Sequence, residues 1–413
     1  MMTTWIIEPR DPLIVRDGRP FGPNPGARAQ TLPFPFPTTT TGGVRTRHGQ
    51  DSSGIFRANP NDVKRIAVRG PLLVEVTDDA MISDWLLPAP ADVLVLKADI
   101  TDPATADNCQ ENEKCIKRRR LIPLETPAGC STNLPTGLAL VGLTQHDPSK
   151  PEKEAPRYWH WSVYKEWLTN PQDDVMPLAA LGHRGPATDQ RTHVGIKSQT
   201  LTNEDGALFQ TRGLEFVGVG EKLSEARRLG IAVETEAEME TGIAPLGGER
   251  RLMHWQTSPT PLPTMPEQLK KDIVEAEACR IVLLTPAYFK NNEQQGWHPT
   301  HLLTPAHGVT PTLKAVSLPR YQVVSGWDFA YMNPNDNNRR GRPKPTRRLA
   351  PAGTVFFLKL EGEQSDILQW LDDVWLKSVS DGQQERLDGF GLAVVGCWSG
   401  SLAPIGQQKE ETL

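Results

Sequence analysis

The sequence predicts an α+β protein made of two ferredoxin-like (RRM-like) βαββαβ units with long insertions. Three observations predict it. Short apolar runs of strand length alternate with a few amphipathic stretches of helical period in both halves of the chain. Its 413 residues favour two domains, with one large domain as the alternative. The 37 prolines and 34 glycines demand many turns and irregular connections between the regular elements. The division falls at 245/246, giving an N-terminal unit over 1–245 and a C-terminal unit over 246–413.

In the N-terminal unit, Thr3–Glu8 reads as a short buried strand, followed by turns at Asp11-Pro12 and Asp17-Gly18. Pro33, Pro35 and Pro37 lack donors, so 32–37 is neither helix nor central strand but an extended lead-in. The threonines 38–41 can cap a helix opening at Gly42-Gly43. Residues 66–77 and 93–97 read as strands. The polar stretch 99–157, with Lys117-Arg118-Arg119-Arg120, reads as an insertion or mobile loop. Residues 158–169 read as an aromatic-rich helix, and 183–213 as a long hairpin turning at Glu204-Asp205-Gly206. Strands at 214–219 and 229–235 and a turn at Leu246-Gly247-Gly248 complete this half.

In the C-terminal unit, 265–277 is helical and 281–284, 314–324 and 354–360 are strands. Residues 363–379 are amphipathic, with Ile367, Leu368, Leu371 and Trp375 on one face. A last strand, 392–397, follows the loop Asp388-Gly389-Phe390-Gly391.

Net charge is −5 and the isoelectric point about 6.0. That argues against a small DNA-binding module and confines any nucleic-acid contact to local basic patches, leaving acidic surface for protein partners. No apolar run approaches the roughly 18 residues of a membrane span, so no membrane is expected. The start MMTTWIIEPRD lacks a basic region followed by an apolar core, which makes the cytoplasm the expected location. Five cysteines, odd in number and widely spaced, argue against a disulfide framework. Cys109, Cys115 and Cys130 with His146 can be read as zinc ligands. With no C-x2-C pair, free thiols are the simpler reading, and no metal or cofactor is assigned.

Three constellations suggest binding. The first is the stretch holding Arg10, Arg16, Arg19, Arg28, Arg45 and Arg47 around the Thr40-Thr41-Gly42-Gly43 helix start. Guanidinium forks and helix-terminal N–H groups both hold phosphate. The competing reading is a proline-stiffened core loop whose arginines pair with carboxylates such as Asp11 and Asp17. The second is the run Arg339, Arg340, Arg342, Lys344, Arg347 and Arg348, either a solvated loop or a sheet-edge loop tracking a nucleic-acid backbone. The third is Gly389-Phe390-Gly391, either a tight turn or a loop that lets backbone approach a ligand. For catalysis, His193 and Lys197 with Tyr164 are the set that acid–base RNA cleavage would need. A structural or RNA-contacting histidine is the alternative, and no catalytic residue is assigned.

Seven segments together resemble one family: EPRDPLIVRDGRPF, LPFPFPTTTTGGVRT, HVGIKSQTLTNEDGALFQTRGLEF, PLGGERR, LKAVSLPRYQVVSGWDFA, RRLAPAGTVFFL and DGFGLAVVGCW. In this order they resemble the third subunit of the Cmr module, a RAMP-superfamily protein of type III-B CRISPR effector complexes. The resemblance implies two ferredoxin-like domains and a non-nucleolytic subunit that binds the repeat-derived 5′ handle of the CRISPR RNA. It implies a place at the base of the complex, beside the large polymerase-like subunit and the first backbone RAMP subunit. Carried over, Arg16, Arg28 and the Thr40–Arg45 helix start match the handle-gripping segment. The hairpin with His193, Lys197, Thr200, Thr202 and Arg212 matches a thumb-like element. Gly389, Phe390 and Gly391 match a Gly-rich loop, and Arg347 and Arg348 join the RNA-binding set. The chain departs from the family where four threonines replace its usual Pro-Ser-Thr-Leu-Ala reading, and in the 99–157 stretch.

Overall fold

The computed structural model describes residues 2–16, 31–79, 81–99, 109, 113–218, 226–290, 296–333 and 336–405. With 18% helix and 40% strand, the α+β expectation holds and sheets carry the core. The largest sheet is antiparallel. Its order is Gly182–His183, Tyr158–His160, Ile82–Pro88, Val68–Val76, Arg227–Thr235, Thr3–Pro9, Leu252–Ser258 and Gly242–Pro245, with Val217–Gly218 added beside Arg227–Thr235. The sheet therefore continues past the expected division at 245/246, since Leu252–Ser258 pairs with Thr3–Pro9.

Strand alternation sends this sheet's side chains into two cores. Trp5, Ile7, Leu73, Ile231 and Val233 face Val44 of the helix Pro37–His48, together with Met253 and Trp255. Ile6, Leu72, Val74 and Ala232 face the opposite way, into a cluster shared with the second sheet. That sheet runs Thr310–Ser317, Val355–Glu361, Ala278–Leu283, Leu392–Cys397 and Lys377–Ser378, all antiparallel. Its four long strands stand in the chain order second, third, first, fourth. The helices Glu267–Ala276 and Gln364–Val374 bury Leu269, Ile273, Ile367 and Leu371 in the same cluster. Trp370 and Val374 are buried where Leu368 was expected; Leu368 is exposed.

The helix Trp161–Thr169 stitches the halves together through Tyr164, Trp167 and Leu168. At this seam Arg280 and Asp92 form an ion pair only 2% and 1% exposed. Arg280 also donates to the Trp167 carbonyl, and Trp167 Nε1 donates to Asp92 at 3.0 Å. These bonds satisfy charges that would otherwise be costly to bury.

Several expectations need correction. The first helix opens at Pro37 rather than at Gly42-Gly43, because proline suits the first helical position; Phe36 is its N-cap and the threonines lie inside it. Residues 158–169 divide into a strand and a helix. The described part of 99–157 is ordered by pairing: Cys115–Arg120 joins Val93–Lys97 and Asp174–Pro177 in a three-stranded sheet, and Ile122–Leu124 pairs with Leu140–Gly142. Within the basic run, Arg118 is buried. It forms a fork on Asp174 and lies 5.5 and 5.3 Å from the Trp159 and Trp167 rings. Cys109 and Cys115 are joined by a disulfide, so their sulfurs leave the suggested zinc set, and Cys130 is an exposed thiol. Among the described residues, no helix is long and apolar enough to cross a membrane.

Candidate nucleic-acid interface

The hairpin pairs Ala187–Ile196 with Asn203–Glu215 as a separate two-stranded sheet. Ten extended residues span about 30 Å, and most of those in Ala187–Ile196 are exposed to solvent. Its turn comes earlier than expected, at 197–202. There Lys197 N–H donates to the Thr202 carbonyl and Leu201 N–H to the Lys197 carbonyl. The Thr200 and Thr202 hydroxyls lie 2.8 Å apart. Leu201 takes a positive φ of 54° and is 81% exposed. Val194, Ile196 and Leu208 are also exposed. His193 stacks on Phe209 at 5.1 Å, with Nε2 2.9 Å from Thr211 Oγ1. Arg212 Nε donates to Gln190.

The base of the hairpin touches the N-terminal arginine segment. Leu13 and Leu214 exchange two backbone hydrogen bonds, at 2.9 and 2.8 Å. Arg10 and Arg16 are exposed nearby in the chain, and Arg16 pairs with Glu249. Gly247, at φ +75°, lies against Ile14; a Cβ there would sit 2.6 Å from the Ile14 carbonyl. The PLGGERR turn is thus seated beside Arg16, and it carries the exposed Arg250, a residue the sequence reading missed. Arg19 and Arg28 lie outside the described residues.

The other half of the first constellation is internal. Thr40 and Thr41 are buried. Thr40 donates to the Pro37 carbonyl and Thr41 to the Asp388 carbonyl at 2.7 Å. Arg45 donates to Asp388 Oδ1 at 2.6 Å and to the Ile66 carbonyl at 2.8 Å. Gly43 packs on Leu246 and Trp255, whereas Gly42 faces open space. Phe390 is fully buried with Phe36, Val324 and Leu349. Gly389 has φ +89°, and a Cβ there would lie 2.5 and 2.7 Å from the Gly70 and Val68 carbonyls; Gly391, at φ +80°, is similarly hemmed in by Ser380. The Gly-rich loop and the helix start form a joint between the two sheets.

In the second constellation Arg347 pairs with Glu385 and lies 4.9 Å over Tyr288. Arg348 is exposed, 5.0 Å over Tyr321, and Arg342 is 4.2 Å over Tyr331. Arg342 lies on a hairpin, Trp327–Asn333 with Asp336–Pro343, that the sequence reading missed; the Arg339 and Arg340 side chains lie outside the description. Tyr164 is fully buried, and burial pushes its hydroxyl far above the usual range, so it does not join His193 and Lys197 in a shared site.

A further cluster joins residues far apart in sequence: Glu75, Asp84, His160 and His183. The His183–Glu75 and His160–Asp84 pairs measure 2.6 and 2.7 Å, and the two rings lie 5.2 Å apart. A hydrogen bond from His183 holds the Glu75 carboxyl below its ordinary range, and Asp84 raises His160. No spacing motif signals this set, because sheet pairing alone brings it together.

Two structures of a type III-B Cmr-beta complex contain chains similar to this one. The first, bound to cognate target RNA and AMPPnP, gives a TM-score of 0.41 and 12% identity over 86% of each chain. The second, bound to cognate target RNA, gives 0.41 and 15% over the same shares. No curated protein matches the sequence. The sequence matches the family described as CRISPR-associated protein (Cas_Cmr3) over residues 5–398. With nearly the whole chain matched, this protein belongs to the Cas_Cmr3 family of CRISPR-associated proteins.

Proposed function

We propose that this chain is an RNA-binding structural subunit of a type III-B CRISPR effector, gripping the repeat-derived 5′ handle of the CRISPR RNA without catalysing its cleavage. The family match over 5–398 carries this reading. Its partners are the CRISPR RNA, the large polymerase-like subunit and the first backbone RAMP subunit. The two-domain, ferredoxin-like arrangement belongs to the same proposal. The second-third-first-fourth strand order of the C-terminal sheet supports it there, with the division near residue 260, after Leu252–Ser258.

The contacting groups are exposed, except for the half-buried Arg212. Arg10, Arg16 and Arg250 flank the hairpin root, and His193, Lys197, Thr200, Thr202 and Arg212 line the hairpin. Arg342 and Arg348, each over a tyrosine, provide charge beside a stacking face. A single-stranded handle offers splayed bases and phosphates to such a surface. The internal residues Thr40, Thr41, Arg45, Gly389, Phe390 and Gly391 act by holding the two sheets in register. The test is filter binding of handle-bearing and scrambled RNAs to the assembled complex over a salt series. Arg10→Ala with Arg212→Ala weakens handle binding and flattens the salt slope by about 0.7 per lost phosphate contact. Unchanged affinity overturns the assignment. Metal-independent cutting of repeat RNA that His193→Ala abolishes would establish a ribonuclease instead.

A further inference from the structure

We propose that Glu75, His160 and His183 form a binding site for one borderline divalent cation, Zn²⁺ by preference, with Asp84 as the positioning carboxylate. This does not depend on the RNA-binding reading. Four consecutive strands of the large sheet each supply one residue: Val68–Val76, Ile82–Pro88, Tyr158–His160 and Gly182–His183. Pairing places all four side chains on one face. Glu75 lies directly opposite Asp84; Leu86, two residues on from Asp84, lies opposite His160; and Tyr158, two before His160, lies opposite His183. Because strand side chains alternate with a period of two, these offsets keep the same face.

One donor atom each from Glu75, His160 and His183 lies within 4.8 Å of the others. Metal–ligand bonds of about 2.0–2.2 Å place neighbouring ligands within about 4 Å of each other, so small side-chain shifts close the set. Asp84 engages His160 Nδ1 at 2.7 Å. That bond fixes the ring tautomer and leaves Nε2 as the coordinating atom, the carboxylate–histidine arrangement that orients metal-bound imidazoles. The four side chains are 15–26% exposed, open enough for a water to complete the coordination shell. Two imidazoles and a carboxylate favour zinc and its first-row neighbours over Mg²⁺ or Ca²⁺. His183 stands just before the hairpin strand beginning at Ala187, so a bound cation would tie the hairpin's N-terminal root to the sheet.

The experiment uses the full chain stripped with a chelator and titrated calorimetrically with Zn²⁺, then with Co²⁺ while visible absorption is recorded. The expected result is one equivalent bound, with Co²⁺ ligand-field bands of a nitrogen–oxygen site. His160→Gln and His183→Gln each weaken binding at least tenfold, and Asp84→Asn about tenfold or more. Circular dichroism verifies that each variant is folded, and Cys130→Ser binds as wild type does. Absence of stoichiometric binding to the wild-type chain overturns the proposal. So does a sulfur charge-transfer band for Co²⁺, or binding that Cys130→Ser abolishes.

Discussion

The hairpin and the Asp388–Gly391 joint carry similar sequence signals yet occupy opposite environments. Both combine glycines, aromatics and nearby arginines. In the hairpin, His193, Ile196 and Leu201 face solvent. In the joint, Phe390 is buried and the Arg45 guanidinium is spent on Asp388 and Ile66. Glycine and arginine mark places of close approach, but whether the approaching object is a ligand or another part of the same chain depends on the remainder of the fold.

The sharpest way to break this comparison is Phe390→Ala. Emptying a fully buried aromatic site should cost about 3–5 kcal/mol, read from urea unfolding. A loss under about 1 kcal/mol would mean that the joint does not hold the sheets together. Next is Arg45→Ala, which removes charge-assisted hydrogen bonds to Asp388 and Ile66 and should cost about 2–3 kcal/mol. If Arg45 instead grips RNA, stability holds and handle affinity falls.

The stretch around Arg119 should behave like the joint. Burial alone would raise the Asp147 carboxyl, but Arg119 at 2.7 Å and the Ser149 N–H hold it down to about 2. Its native pKa lies below the ordinary 3.8, so its stabilisation is present above about pH 4 and fades as pH falls towards 2. Asp147→Asn should cost about 1–2 kcal/mol at pH 7, with the gap from wild type closing near pH 2 in acid-unfolding curves. A gap that persists there would assign the effect to something other than ionisation.

The smallest stability effects belong to the hairpin. His193→Ala and Arg212→Ala should stay within about 0.5 kcal/mol of wild type while RNA affinity drops. Leu201→Gly relieves a left-handed residue and should stabilise by a few tenths to about 1 kcal/mol. Hairpin variants that unfold the protein would erase the contrast.

Local pattern alone placed the strands Thr3–Glu8, 66–77, 93–97 and 392–397 and the hairpin at 183–213, because strand alternation and apolar runs are short-range signals. Motif order along the chain was enough to identify the family. The start of the first helix was misread because capping by Thr38–Thr41 was weighed above the preference of Pro37 for a first helical position. Ordering within 99–157 was illegible because its strands pair with Val93–Lys97 and Asp174–Pro177, partners that no local window contains.

The sequence by itself determined several of the strands, the existence of the long hairpin, and which family the motifs spell out. Only the tertiary structure decided which arginines lie at the surface and which are buried in ion pairs inside the protein. It alone also brought Glu75, Asp84, His160 and His183 to one face. Burial and cross-strand register are set by contacts between residues hundreds of positions apart, such as Thr41 and Asp388 at a separation of 347, and no local pattern encodes them.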